Sequence, residues 1–163
     1  RRAAQGVRAA GAIPEDSQRP RARTAYTRLV RVVVLGAGVI GAAIEVHRRL
    51  GPGLLESAYG ACLVPAMTKR GLRFRREVPV PVSYDGIRLD CGYRVDFVVE
   101  DQVVLEIKAD AAIHPVHIAQ VLTYMKLGDY PVGLLINFNT PYLGHGSIRR
   151  LVNHYQGPKP GEC

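Results

Sequence analysis

The sequence predicts an α/β domain with a mixed central β-sheet flanked by helices. Two observations support this prediction. Apolar residues recur with a helical period in two early segments and in one later segment, and runs rich in valine and isoleucine lie between and after them. The resulting order of helix, helix, strands, helix and strand is typical of one sheet covered by helices. The 163 residues suit one such domain with additional terminal segments.

The first two helices are predicted from their apolar period and their stop signals. The first covers residues 39–50 and ends at Gly51-Pro52-Gly53, a strong terminator. The second covers residues 54–70 and ends before Gly71. Pro65 lies inside the second helix, and proline removes one helical hydrogen bond, so we expect a kink or an early end there.

The third predicted helix covers residues 114–127. Its apolar period places Ile118, Leu122 and Met125 on a stripe that faces the core. His114 is expected near the N-cap.

Several strands are predicted before and after the third helix. The turn sequence Asp85-Gly86 predicts a hairpin between the first and second of the strand segments given below. Glu100-Asp101-Gln102 predicts a loop between the next two. The predicted strand segments are residues 78–84, 87–89, 93–99, 103–109, 132–138 and 148–152.

The net charge of +8 is concentrated near the start of the chain. Residues 1–31 hold eight arginines against Glu15 and Asp16, in a segment rich in Ala, Gly and Pro. We expect residues 1–31 to form a disordered basic arm, residues 32–156 the folded domain and residues 157–163 a flexible tail. A basic arm of this kind can also hold phosphates through counterion release.

Composition argues against membrane and disulfide-rich classes of protein. The longest apolar stretch covers the 13 residues 32–44 and is interrupted by glycines, whereas a membrane span needs about 20 residues. The three cysteines are odd in number and widely spaced, which favours reduced thiols over a disulfide framework or a zinc site. We therefore expect a cytoplasmic protein with no membrane partner.

One glycine pattern suggests a different function. Residues 32–35 are apolar and are followed by Gly36, Gly38 and Gly41, which have the G-x-G-x-x-G spacing of dinucleotide-binding folds. That fold requires a second strand with an acidic residue at its end, about 20 positions further on. A Gly-Pro-Gly break and a helix occupy this interval instead. A dinucleotide-binding oxidoreductase is therefore the weaker alternative.

Glu106 and Lys108 are the first candidate functional residues. Side chains alternate along a strand, so these two share one face while Leu105 and Ile107 point to the other. A carboxylate and an ammonium at the end of an apolar strand are costly to bury unless they are paired or used. Alone, the pattern is equally consistent with a surface charge pair.

Asp96 strengthens the case for a site. If residues 100–102 form a three-residue loop, Val99 faces Val103 and Asp96 faces Glu106. Two carboxylates about 5 Å apart repel each other unless a cation or a proton lies between them. Hard oxygen ligands suit Mg²⁺ or Mn²⁺. A metal-activated water attacking a phosphodiester is the reaction that these groups serve best.

Two helical segments supply further candidates. Gln120 and Tyr124 are four residues apart on the third helix with His117 on the same side, where they can hydrogen-bond a phosphate or a water. An ordinary polar helix face has the same pattern. Glu56 and Tyr59 lie on adjacent turns after the Gly-Pro-Gly break, where a carboxylate is often only a partner of the helix dipole.

Taken together, these motifs resemble the GxxExxY proteins, a branch of the PD-(D/E)xK nuclease superfamily. The resemblance covers residues 40–153. The ordered set of motifs is more specific than any one of them alone. The residues that carry it are Gly53, Glu56 and Tyr59 for the naming motif, Asp96 for the first acidic position, Glu106 and Lys108 for E-x-K, Gln120 and Tyr124 for Q-x-x-x-Y, and Asn137-Phe138-Asn139 for the closing segment.

The resemblance implies the αβββαβ core of restriction-endonuclease-like folds and Mg²⁺-dependent cleavage of phosphodiester bonds. Lys108 would then assist the attacking water and stabilise charge on the phosphate. The predicted site comprises a catalytic set of Asp96, Glu106, Lys108 and Glu56, a metal-binding set of Asp96, Glu106, Glu56 and the carbonyl of Ile107, and a substrate-positioning set of Gln120, Tyr124, Tyr59 and His117.

Two questions stay open at this point. A binding module that keeps the fold without turnover is the alternative to a nuclease. We expect nucleic acid as the partner, DNA rather than RNA, and the sequence leaves a homodimer open.

Overall fold

The computed structural model describes residues 19–90 and 92–153. These residues form three helices and seven strands. The helices are α1 (Arg19–Leu50), α2 (Glu56–Thr68) and α3 (Pro115–Gly128), and the strands are β1 (Phe74–Pro79), β2 (Val82–Tyr84), β3 (Ile87–Leu89), β4 (Arg94–Val99), β5 (Val103–Lys108), β6 (Val132–Asn137) and β7 (Ile148–Val152).

Five strands form a mixed central sheet in the order β1-β4-β5-β6-β7. The β5–β6 pair is parallel and the other pairs are antiparallel. Strands β2 and β3 form a separate hairpin, which follows β1 and precedes β4 in the chain but does not lie between them in the sheet. Without that hairpin and β7, the order is αβββαβ, preceded by one more helix. The predicted mixed sheet flanked by helices is confirmed.

Helices cover both faces of the sheet. On one face α1 and α2 pack over a core that includes Val39, Leu63 and Phe97. On the other face α3 packs over a core that includes Val98 and Met125. Each fully buried side chain of this kind stabilises the fold by about 1.5–3 kcal/mol. The sheet between the two cores is therefore a rigid base for the groups at its strand ends.

Helix α1 begins 20 residues earlier than predicted. It starts at Arg19 rather than at residue 39, so residues 19–31, which were assigned to the arm, are helical. Residues 1–18 and 154–163 lie outside the described part of the chain. The disorder of the arm before residue 19 and the flexibility of the tail therefore stay predictions.

The dinucleotide-binding alternative is wrong. It needs a strand before the glycines, but residues 32–35 belong to α1. Gly36 and Gly38 are packing positions within this helix. A Cβ at Gly38 would contact the side chain of Leu72 at 3.5 Å, and a Cβ at Gly36 would lie 2.9 Å from the guanidinium of Arg150.

The window Val30–Leu50 of α1 corrects the expectation that no segment reaches membrane length. Its 21 residues have a mean hydropathy of 1.7 and satisfy the length and composition of a membrane span. A core helix satisfies the same test, and 39% of this window is buried within the domain. Val39, Ala42 and Val46 are among its buried residues.

The segment predicted as one strand over residues 78–84 is split into two. β1 begins earlier, at Phe74, and ends at Pro79, and β2 starts only at Val82. Pro79 and Pro81 lack the N–H group that a continuous strand would donate, which explains the break. The turn at Asp85-Gly86 is confirmed: both residues have positive φ, 51° and 73°.

Pro65 does not end α2. The helix continues to Thr68, and the N–H of Lys69 still donates to the carbonyl of Pro65 at 3.0 Å. Pro65 is exposed. The expected early end is therefore wrong.

The core stripe of α3 differs from the predicted one. The buried residues are Val121, Tyr124 and Met125, whereas Leu122 is exposed. Gly133 on β6 explains the close approach, since a Cβ there would lie 2.5 Å from Val121 Cγ1 and 2.6 Å from Met125 Sδ. His114 is the N-cap, as expected.

Candidate functional site

The loop that the site prediction required is present. Val99 pairs with Val103, so three residues connect β4 to β5. The antiparallel ladder then runs only as far as Phe97–Leu105. Next to this last pair, the side chain of Asp96 bonds to β5: the backbone N–H of Ile107 donates to Asp96 Oδ2 at 2.7 Å. This register places Asp96 opposite Glu106, as predicted, and the carboxylate of Asp96 bonds in addition to the next residue of β5.

Glu106 and Lys108 form a largely buried ion pair at the end of β5. Lys108 Nζ donates to Glu106 Oε1 at 2.9 Å, and the two side chains are 13% and 4% exposed. The other carboxylate oxygen, Glu106 Oε2, is buried without a hydrogen-bond partner. Buried polar atoms are almost always satisfied in folded proteins. Gln102 Oε1 in the β4–β5 loop is the other such atom among the described residues, but only the oxygen of Glu106 lies in a charged cluster, where it can accept a cation or a hydrogen bond.

The three charged groups change one another's acidity. Burial, followed by the negative charge of Asp96, raises the pKa of Glu106 to about 7. Burial also raises the pKa of Asp96, against the bond from Ile107. Burial lowers the pKa of Lys108, but the bond to Glu106 and the nearby carboxylates outweigh it, so its pKa lies above its usual value. Negative charge is therefore in excess here.

Glu56 reaches the same strand end from another element. It is the first residue of α2, and its Oε1 accepts a hydrogen bond from the N–H of Ala109 at 3.2 Å. Ala109 directly follows Lys108. The charge of Glu56 acts on the pKa of Asp96 and of Lys108. The structure thus brings the four predicted catalytic side chains to the C-terminal end of the central strand β5.

Tyr59 has a different role from the predicted one. Its side chain is fully buried and stacks on Phe138, with ring centroids 4.3 Å apart. Its hydroxyl donates to the carbonyl of Gly51 at 2.7 Å and accepts from the N–H of Leu54 at 3.2 Å. These contacts fix the turn before Glu56. Substrate positioning by Tyr59 is therefore corrected to positioning of the helix start.

Gln120, Tyr124 and His117 lie on α3, beside the strand ends. Gln120 Nε2 donates to the hydroxyl of Tyr124 at 2.7 Å. Tyr124 is buried, and the charges of Glu106, Lys108 and Asp96 act on its pKa, which burial raises. Tyr124 thus holds the amide of Gln120 near the charged groups.

His117 contacts Asp110 rather than the charged cluster. Its Nε2 lies 3.3 Å from Asp110 Oδ2, and its Nδ1 accepts the backbone N–H of His114 at 3.3 Å. Both ring nitrogens are therefore engaged close to the start of α3.

Two residues near the site were not predicted to belong to it. Asn137 Oδ1 accepts the N–H of Asp110 at 3.1 Å, and its Nδ2 donates to the Asp110 carbonyl at 2.8 Å. This amide closes the loop after β5. Tyr93 contacts Tyr124 edge to face, with ring centroids 6.4 Å apart. The parallel pairing of Lys108 with Asn137 is the feature that could have identified Asn137, but it depends on strand order.

The predicted set of metal ligands is assembled only in part. Asp96 and Glu106 are close enough to influence each other, and Ile107, which directly follows Glu106 in the chain, donates its N–H to Asp96. Within residues 19–90 and 92–153, however, no group of three or more acidic, histidine or cysteine side chains is arranged to hold a metal ion. Asp96 and Glu106 are the two carboxylate donors that the described residues bring together, and a cation held there would take its other ligands from backbone or water oxygens.

Comparison with protein-family models gives a match that covers the whole candidate site. The model of the PD-(D/E)XK nuclease superfamily matches residues 34–151, which is more than half of the chain. Searches of the curated proteins and of the solved structures found no match.

Proposed function

Because the chain belongs to the PD-(D/E)XK nuclease superfamily, we propose that it is a metal-dependent nuclease that hydrolyses phosphodiester bonds in nucleic acid. The observation that carries the proposal is Glu106 Oε2, an unpartnered oxygen in a side chain that is 4% exposed. A buried unsatisfied charge is costly, and a divalent cation compensates that cost. Nucleases of this superfamily generally use divalent metals.

The donor chemistry at the strand end fits Mg²⁺ or Mn²⁺. Asp96 and Glu106 supply carboxylate oxygens and Ile107 supplies a carbonyl, and hard oxygen donors are what these ions prefer. Glu56 is a weaker candidate ligand, since one of its oxygens already accepts the N–H of Ala109. We assign it to orienting the strand end and to accepting a proton from water.

When bound, the cation supplies Lewis-acid polarisation of the phosphate and a more acidic water. Lys108 carries the positive charge of the chain itself. Its ammonium is held by Glu106 at 2.9 Å, where it stabilises negative charge that develops on the phosphate during attack. Gln120, whose amide is fixed by Tyr124, orients the phosphate or the water.

The test is cleavage of single-stranded and double-stranded DNA and RNA with Mg²⁺ or Mn²⁺, and with EDTA as the metal-free control. We expect cleavage only with the metal, with DNA preferred over RNA, and loss of cleavage in Asp96→Ala and in Lys108→Ala. Activity that survives in both variants would overturn the proposal.

A binding module without turnover is the second candidate. The observation that favours it is the lack of a three-residue metal group in the described part of the chain. This candidate predicts salt-sensitive binding of nucleic acid that EDTA does not change. Replacement of the eight arginines of residues 1–31 by glutamine, which removes the basic charge and keeps the length of α1, separates binding by the basic segment from binding by the rest of the domain.

A further inference from the structure

A cavity of about 720 Å³ opens beside the candidate catalytic groups. It lies between the start of α2 and the ends of β5 and β6, and its lining includes Glu56, Ala109 and Asn139. Its volume falls within the range of roughly 300–1,000 Å³ that is usual for small-molecule sites. Glu56, one of the candidate catalytic groups, lines this cavity, and Ala109 directly follows Lys108 in the chain, so the cavity borders the candidate site.

The lining chemistry suits a nucleobase better than a phosphate. Leu54 and Leu55 supply apolar surface, while Ser57 and Asn139 supply neutral hydrogen-bonding groups. None of the described lining residues is basic, and the carboxylate of Glu56 would repel a phosphate. Proteins that bind unpaired bases place them against apolar or aromatic side chains and hydrogen-bond their pairing edges.

The leucines are exposed on a turn that is held in place. Leu55 is 76% exposed and Leu54 is 38% exposed. The buried hydroxyl of Tyr59 fixes this turn through the carbonyl of Gly51 and the N–H of Leu54. Gly53 has a φ of 100°, a backbone conformation that residues other than glycine rarely adopt. The apolar surface is therefore preorganised, which lowers the cost of binding.

We propose that this cavity seats an unpaired nucleobase next to the bond that is cut, so the preferred substrate is single-stranded or frayed nucleic acid. The proposal rests on the proposed function only for the position of the cut, since seating a base does not need catalysis. A paired base cannot present its hydrogen-bonding edge to Ser57 or Asn139, so duplex ends would have to open first.

The test measures the binding of a fluorescent single-stranded DNA oligonucleotide in EDTA. Each nucleotide in turn is replaced by an abasic one. We expect one position at which the loss of the base weakens binding by about tenfold, since burial against Leu55 is lost. In Leu55→Ala the whole oligonucleotide should bind about tenfold more weakly, and the abasic penalty should fall below about twofold. Leu55→Met should restore both values.

Val34→Ala is the matched control, because Val34 is a 63% exposed aliphatic residue on α1. It should behave like the wild type. Equal affinity for single strand and duplex, or an abasic penalty that persists in Leu55→Ala, would overturn the proposal.

The same oligonucleotides are then incubated with Mg²⁺. Cleavage without the position-specific penalty would leave the nuclease proposal standing and reject the base seat. The penalty without cleavage would support the seat and reject the nuclease proposal. The experiment can therefore reject the base-binding proposal and the nuclease proposal independently of each other.

Discussion

The two ends of the β4–β5 pair carry similar numbers of acidic side chains but differ in how far basic groups compensate their charge. At the turn end, Glu100 bonds to Arg73 and lies 3.8 Å from Arg31, and Asp101 bonds to Arg75 at 2.6 Å. The hydrogen bonds from Arg73 lower the pKa of Glu100. The acidic groups at this end are therefore matched by arginines.

At the open end, the buried Glu106 and the partly buried Asp96 lie near Lys108, and the charge of Arg76 also acts on Asp96. Burial raises the pKa of both carboxyl groups, and one oxygen of Glu106 has no partner. Acidic residues of this hairpin are therefore candidates for binding a cation only where burial leaves their charge without enough basic partners. The arginines compensate the acidic groups at the turn end, whereas the proposed cation would compensate those at the open end.

The largest expected effect is on cleavage. Glu106→Gln keeps the shape of the side chain but removes its charge, and should slow cleavage by about 100- to 1,000-fold. Glu100→Gln makes the same change at the turn end and should leave the rate within about twofold. Single-turnover rates measure both. Equal losses would show that the two ends do not differ in function.

The pH dependence of stability should have opposite signs at the two ends. Glu106 has a pKa of about 7 in the fold against 4.5 for the ordinary group, so the folded state binds more protons between these values. In EDTA, the free energy of unfolding should therefore fall as pH rises from about 4.5 to about 7, by on the order of 2–3 kcal/mol. Glu106→Gln should remove most of this fall and leave only the part that comes from the raised pKa of Asp96.

Glu100 provides the converse case for that measurement. Its pKa is lowered in the fold, so its contribution is present above pH 4.5 and is lost as pH falls further. Glu100→Gln should remove that acid-side loss and leave the slope between pH 4.5 and 7 unchanged. Urea unfolding across the pH range measures both slopes, and equal signs would contradict the comparison.

Metal should stabilise the protein through the open end only. At a Mg²⁺ or Mn²⁺ concentration 100 times the Kd, the free energy of unfolding should rise by about 2.7 kcal/mol. Asp96→Asn, which keeps an oxygen for the N–H of Ile107, should abolish this increase. Asp101→Asn should keep it. Thermal unfolding with and without metal makes the measurement, and an equal increase in both variants would place the cation elsewhere.

The smallest effect is expected for the exposed ion pair of the turn. Arg75 and Asp101 are 57% and 74% exposed, and such pairs contribute about 0–1 kcal/mol. Asp101→Asn should change the free energy of unfolding by less than about 1 kcal/mol, because asparagine tolerates the positive φ of 54° at this position. A loss above about 2 kcal/mol would show that this ion pair is essential for the stability of the turn.

The central part of the fold follows from short-range patterns in the sequence. Residues 100–102 form the predicted loop, and this loop sets the register that brings Asp96 to β5. Alternation along β5 then places Glu106 and Lys108 on one face. These steps depend on a period of two and on one turn, which a sequence displays directly.

The errors lie where tertiary contacts outweigh local pattern. The apolar residues 32–35 have the composition of a strand, but they lie inside helix α1. Leu122 has the period of a core residue, yet Gly133 draws Val121 and Met125 inward instead. Tyr59 was predicted to position substrate, but its hydroxyl donates to the carbonyl of Gly51 and stabilises the turn there. None of these contacts can be read from neighbours in the chain.

The most direct test of the account is a titration of Mn²⁺ followed by electron paramagnetic resonance. The account predicts a bound ion in the wild type and in Glu100→Gln, and none in Glu106→Gln at the same concentrations. An ion that binds Glu106→Gln as tightly as the wild type would contradict the assignment of the cation to the open end of the hairpin.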